Sequence, residues 1–355
     1  MIAIMIPTSH QSQFNSQEIQ NCVKLALSSD PTGSQGVDSH STIVKQTIKH
    51  MLDRVGFEPH RVPFSVDKEL EALVREDLNK LDLDDKPFQQ AEQRLVLSVT
   101  LTHQAWTGLK QDAKAIVAKQ MLYMFLIDDF AEDFMDDLMR FGQRFIVHAS
   151  HNSSILQAFD DHLRSLGTWY GPYSVTAIVK NSLEYAAGRV VEHQMLASQF
   201  HFSPAMKLVP VFLRPKVGGS EILAHMVYDH SRFPEDEYLL QYLPAIPAMM
   251  QFVDYINDIL SYYKEFVLAD EKFNFVDNFA ESHGLSHIQI LCGLADHAAE
   301  VHASGRQVLS HDPKLLEVYD QWIVGFIQLF TAHRRYHLVE LFALDGYLPP
   351  YHEDS

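Results

Sequence analysis

Residues 121–133 read MLYMFLIDDFAED, an apolar stretch from Met121 to Ile127 that runs directly into Asp128, Asp129, Glu132 and Asp133. Seven consecutive apolar or aromatic residues cover the whole circumference of a helix, so a helix built from them has no wet face and belongs inside a bundle. A second stretch of this kind, IVGFIQLF, occupies residues 323–330. Around these two, apolar residues recur at helical spacing, and the period-two β-branched alternation that marks strands is scarce. The predicted fold is all-α, a helical bundle in a single domain.

The periodicity predicts helices over 42–55, 69–81, 88–108, 113–130, 136–148, 154–166, 174–198, 205–213, 220–228, 245–268, 286–309 and 313–343. A short helix is expected over 16–27, followed by a linker at 28–41 (SSDPTGSQGVDSHS), where turn and loop residues collect. Residues 1–41 are thus read as an N-terminal helix and linker, and 42–355 as the helical domain. No internal repeat of fixed period is found.

The four carboxylates after Ile127 crowd one helix end. Residues four apart lie one turn above each other, so Asp128 and Glu132 share a face, with Asp129 and Asp133 beside them. A helix C-terminus carries partial negative charge, so anionic side chains are unfavourable there unless a cation neutralises them. Hard oxygen ligands of this kind suit magnesium or manganese. An isolated acidic run is often a solvated loop, but the fully apolar turn before this one counts against that reading.

A second constellation is NDILSYYKE at 257–265. Asn257, Ser261 and Glu265 fall in one row, each a turn from the next. An amide oxygen, a hydroxyl and a carboxylate can therefore converge on one hard cation, and Lys264 adds a phosphate-binding ammonium at the rim. Polar residues at this spacing can also mark the wet side of an amphipathic helix. The flanking Phe252, Ile256, Ile259, Leu260 and Phe266 argue for burial instead. A third, His333-Arg334-Arg335-Tyr336, offers a planar fork of donors and a phenol suited to phosphate oxygens. His333 and His337 are spaced as a helical pair but have no carboxylate pattern beside them, so a transition-metal site is not expected.

The chain carries 28 basic against 46 acidic side chains, a net charge of -18. Phosphate backbones and anionic lipid would repel it, so nucleic acid and membrane surfaces are poor partners, and an anionic substrate would need cations to mediate. With 46% hydrophobic residues in 355, it can bury a sizeable core. Cys22 and Cys292 are few and far apart, as in a reducing compartment, and form no CxxC or Cys/His cluster. The opening MIAIMIPTSHQSQF is too short in its apolar run for a secretory signal. No uncharged apolar stretch approaches the roughly 20 residues of a membrane span. A soluble cytoplasmic protein is expected.

Taken in order, Asp-Asp-x-x-Glu at 128–132, Asn-Asp-x-x-Ser-x-x-Lys-Glu at 257–265 and Arg-Tyr at 335–336 resemble class I terpene cyclases, most closely the fungal trichodiene synthase-like family. The segments NDILSYYKEF and HRRYHL extend the resemblance beyond the general class signature, and the separations between motifs are similar to the family's. The resemblance implies aspartate at the position where this chain has Glu132.

The resemblance implies a magnesium-dependent sesquiterpene synthase, with manganese as a possible substitute, built as a bundle around a deep apolar cavity. Its substrate would be farnesyl diphosphate, ionised to an allylic cation and cyclised to a hydrocarbon or alcohol. Two ions would be held mainly through Asp128, with Asp129 in the same motif and Glu132 direct or through water. A third would be held by Asn257, Ser261 and Glu265. Arg214 matches the position of a diphosphate-sensing arginine, and Lys264, Arg335 and Tyr336 would join it on the diphosphate. Arg214 is followed by Pro215 and then Gly218-Gly219, which predicts a broken helix there.

The cavity walls are expected to include Met121, Phe125 and Phe326, although core packing is the commoner use of such side chains. The polar stretch 269–283 is expected to be a mobile loop over the site. A homodimer is among the assemblies expected. A chain-elongating prenyltransferase should show a second aspartate-rich motif in place of the Asn/Ser/Glu row. A silent diphosphate-binding helical protein stays open as an alternative.

Overall fold

The computed structural model describes residues 37–60, 64–269 and 271–352. Among the described residues the regular elements are helical and no strand occurs, as the periodicity predicts. The principal helices are α1 (Val37–Arg54), α2 (Lys68–Leu78), α3 (Asp85–Ala105), α4 (Gln111–Phe130), α5 (Ser154–Ser165) and α6 (Pro172–Ala197). They continue with α7 (Leu208–Gly218), α8 (Ser220–His225), α9 (Ile246–Leu260), α10 (Phe275–His283), α11 (His287–Leu309) and α12 (Pro313–Ala332).

Local chemistry sets several of the starts. Ser153 caps α5 by accepting from Leu156 N–H, and Ser286 with Gln289 forms a reciprocal capping box on α11. Asp312 caps α12 through Lys314 and Leu315 N–H, with Pro313 pre-set for the first helical position. The all-apolar stretch of α4 is buried almost throughout, Met121 to Met124 and Leu126 to Ile127 included. α3 packs on α4 and α12, α9 on α8 and α11, and α6 on α7 and α8. One contiguous apolar core runs from Val44 to Leu348. No helix among the described residues is long and apolar enough to cross a membrane.

Five expectations change. The predicted helix over 16–27 lies outside the described residues, and the segment read as linker through Ser41 is helical from Val37. The helix bearing Arg214 is not broken at Pro215. It runs on to Gly218 and stops at Gly219, whose φ of 64° places it in the left-handed region. The predicted helix over 313–343 ends at Ala332, because His333 is extended and His337 takes φ 56°. Residues 245–268 form α9 followed by a π-helical turn, Tyr263–Leu268. The expected loop at 269–283 is helical in its second half, α10, capped by Asn274 on Asp277 N–H.

Candidate active site

The C-terminal ends of α4 and α9 and the chain beyond α12 surround one cavity of about 560 Å³, with walls from α3, α6 and α7. Its size lies within the range of small-molecule sites. Asp128, Asp129, Arg214, Asn257, Ser261, Lys264, Glu265, Arg335, Tyr336, Met121, Phe125 and Phe326 all line it. Of the residues given a metal, diphosphate or cavity role from sequence, Glu132 is the one that does not, and its neighbour Asp133 is also absent from the lining. The α-helix ends at Phe130, and Ala131–Phe134 is a 3-10 turn. Tighter winding at about three residues per turn rotates position 132 off the face of Asp128. The Glu132 side chain is 85% exposed and approaches His193 at 3.8 Å.

Each cavity carboxylate expected to meet a cation already has a basic partner. Asp129 receives two hydrogen bonds from Arg94, at 2.5 and 2.8 Å. Asp128 accepts from Arg189 Nη1. Glu265 pairs with Lys264 at 3.1 Å. Asn257 Oδ1 accepts from Arg214 Nη2 at 3.1 Å, and Ser261 Oγ donates back to the Asn257 carbonyl at 2.7 Å.

Arg214 is the most heavily engaged of these bases. Its Nε donates to both oxygens of Asp258 and its Nη1 sits 3.2 Å from Asp254. Burial disfavours the guanidinium charge, but Asp258 and Asp254 outweigh it and hold the group protonated well above its ordinary range. Burial pushes the Asp258 carboxyl up to about 7 against the pull of Arg214. Gly218 makes the pairing sterically feasible, since a Cβ there would collide with the Arg214 guanidinium and with Asp254 Oδ1. Gly219 is needed twice over, for its left-handed backbone and because a Cβ would run into the Met124 methyl group.

Beyond α12, the 3-10 turn Arg334–Tyr336 brings Arg335 and Tyr336 to the cavity. Burial raises the Tyr336 phenol to about 12, so it stays a donor at neutral pH. Phe330 lies against it with ring centroids 4.4 Å apart. Along α4, Phe125 and Met121 lie about one and two turns before Asp128, facing the same cavity as Phe326 and Leu329.

Sequence reasoning passed over Arg94, Arg189, Glu192, Asp254 and Asp258, all cavity-lining. A signal existed for the arginines: each is a lone cation in a mainly apolar or small-residue helical stretch, QRLVLSV and AAGRVVE. Glu192 lies three residues from Arg189 on the same helix, but Asp129 and Asp128, the partners of Arg94 and Arg189 on α4, are 35 and 61 residues away and could not be read from the sequence.

Among the described residues no cluster of three His, Cys, Asp or Glu side chains is gathered to hold a metal by itself. The donors present are carboxylate, amide and hydroxyl oxygens. That set fits magnesium, which keeps several waters and completes its shell with substrate phosphate oxygens in place of a full protein cage.

The sequence model of the Trichodiene synthase (TRI5) family matches residues 76–346. An (E)-beta farnesene synthase of Metarhizium brunneum is 29% identical over 217 residues, 61% of this chain, and the chain spans 65% of that relative's length. Monoterpene synthase 25 of Postia placenta is 26% identical over 311 residues, covering 86% of this chain and 88% of its own. Trichodiene synthase of Fusarium sporotrichioides is 21% identical over 267 residues, 74% of this chain and 68% of its own. The crystal structure of a linalool/nerolidol synthase from Streptomyces clavuligerus has the same fold, with a TM-score of 0.58 at 15% identity over 76% of this chain and 97% of that one.

Proposed function

We propose that this chain, which belongs to the trichodiene synthase family, ionises farnesyl diphosphate and cyclises the allylic cation to a sesquiterpene hydrocarbon or alcohol, releasing diphosphate. The observation that carries the reading is the lining of one cavity. Hard oxygen donors and six basic side chains, Arg94, Arg189, Arg214, Lys264, Lys272 and Arg335, share the cavity with the apolar Met121, Phe125, Phe326 and Leu329.

Asp128, Asn257, Ser261 and Glu265 would hold magnesium, or manganese in its place, and the family resemblance implies three ions. When bound, the metal supplies positive charge that draws off the negative charge growing on the leaving diphosphate. Arg214, Lys264, Arg335 and the protonated Tyr336 donate to the same oxygens, aimed at charge that is larger in the transition state than in the substrate. Asp129 holds Arg94 on the cavity wall. Glu132, outside the cavity, is left out of the ligand set.

The rings of Phe125, Phe326 and Phe330 present negative π faces without nucleophilic atoms, which suits a carbocation that water would otherwise quench. Incubation with magnesium and geranyl, farnesyl or geranylgeranyl diphosphate, followed by gas chromatography of a hexane extract, tests the reading. A cyclic C15 product supports it. Elongated prenyl diphosphates, or tight diphosphate binding with no product, would replace it.

A further inference from the structure

Arg189 joins three elements through one guanidinium. It reaches Asp128 at the end of α4, Glu192 on its own helix α6 at 2.8 Å, and the carbonyl of Val217 in the last turn of α7 at 2.8 Å. The side chain is only 12% exposed, and its Nε is buried with no acceptor. The helices are close here: a Cβ on the neighbouring Gly188 would press on the Lys216 carbonyl. Val217 follows Arg214 by less than one turn of the same helix, so a single side chain ties the acidic motif to the segment that presents Arg214.

We propose that Arg189 is a positioning residue that couples cation occupancy at Asp128 to the position of α7; the inference rests on the functional reading above. The Asp128 oxygen bonded to Arg189 belongs to the carboxylate that a divalent cation would use. A guanidinium and a divalent cation on one carboxylate repel each other, so the two compete. Once displaced, Arg189 keeps Glu192 as a partner and has its unmatched Nε to offer to an anion in the cavity. The Val217 carbonyl is then released, which frees the last turn of α7 and with it Arg214. Without the cation, Arg189 keeps α7 fixed and Arg214 stays on Asp254 and Asp258. Cation and diphosphate should therefore bind in a coupled order, the cation first.

The test compares the full-length chain with Arg189→Gln and Arg189→Lys. Free Mn2+ is titrated by electron paramagnetic resonance without diphosphate, inorganic diphosphate is then titrated calorimetrically at saturating Mn2+, and hydrogen exchange is followed over residues 214–219. Removing the competing charge in Arg189→Gln should tighten Mn2+ binding about tenfold and weaken diphosphate binding about tenfold, two changes of opposite sign. Weakening of both together, or unchanged Mn2+ affinity, would mean a structural brace and overturn the coupling. If Arg189→Gln does not fold, Arg189→Lys decides. It keeps the charge near Asp128 but cannot also hold Val217, so Mn2+ affinity should stay within about twofold while exchange at 214–219 speeds up without ligand. Unaltered exchange there overturns the proposal. A wild-type chain that binds neither Mn2+ nor diphosphate sinks the functional reading itself, a result distinct from a variant that fails to shift.

Discussion

Arg214 donates from Nε to both carboxylate oxygens of Asp258, each at 3.0 Å, across the buried contact between α7 and α9. Breaking a buried ion pair from one side leaves an uncompensated charge and typically costs about 3–5 kcal/mol, whereas replacing both partners by apolar groups is often nearly neutral. Arg214→Met should therefore lose about 3–5 kcal/mol in urea unfolding. The double variant Arg214→Met with Asp258→Leu should recover part of that loss, with Asp254 left to Ser220 as its donor, and still make no product. Recovery of turnover along with stability would show that Arg214 serves the fold alone.

Asp128 offers a cleaner separation of activity from stability, because its side chain is 48% exposed. Asp128→Asn keeps the volume and an acceptor for Arg189 while removing the charge. Turnover should drop about a hundredfold or more, with the melting temperature within a few degrees of wild type. Exhaustive chelation should abolish turnover, and magnesium or manganese should restore it. Product formation that persists in chelator would remove the metal from the mechanism.

Phe125 and Phe326 should affect the product mixture in different company. Phe326 is 4% exposed and packs between Trp322 and Phe330, so Phe326→Ala should cost about 3–5 kcal/mol besides altering product ratios. Phe125 is only half-buried, and Phe125→Ala should cost about 1–2 kcal/mol while changing the ratios at least as much. Chromatography that shows identical ratios in both variants would place the rings outside the path of the cation.

Three buried histidines make the fold acid-sensitive. Burial lowers His162 to about 3 and both His225 and His302 to about 4, from 6.5 in an exposed chain. Between about pH 6.5 and 4 the unfolded chain binds protons that the folded protein refuses. Stability is therefore fully present above pH 6.5 and is lost as pH falls through that window. Within that window each group steepens the loss by up to about 1.4 kcal/mol per pH unit. His162 Nε2 donates to Gln120 within 3.1 Å, so His162→Gln should unfold with a shallower pH slope, measured as urea midpoint from pH 7 to 4.5. An equal slope in both proteins would assign the acid sensitivity to other groups.

The helices were legible because their cause is local. The apolar stretch 121–127 and the 3.6-residue recurrence around it can be buried in one way only, and the Ser286, Asp312 and Pro313 start signals act over a single turn. The oxygen row Asn257, Ser261, Glu265 was likewise set by spacing along one continuous helical path, which the π-turn continues without turning Glu265 out of the cavity.

Packing decided what spacing left open. Nothing between Ala332 and Leu338 signals a break, since no glycine or proline lies there. His333 nevertheless turns extended and accepts the Arg335 N–H, bringing Arg335 and Tyr336 to the cavity. Glu132 is turned off the face of Asp128 because the winding tightens after Phe130. Pro215 stayed helical where sequence argued for a break, in a helix whose Arg214 is held by Asp254 and Asp258. The ion pairs Arg94–Asp129 and Arg189–Asp128 join different helices, across 35 and 61 residues of chain. Periodicity fixes which face of each helix is buried. Which charge meets which across the bundle depends on how the faces pack, and that information exists only in three dimensions.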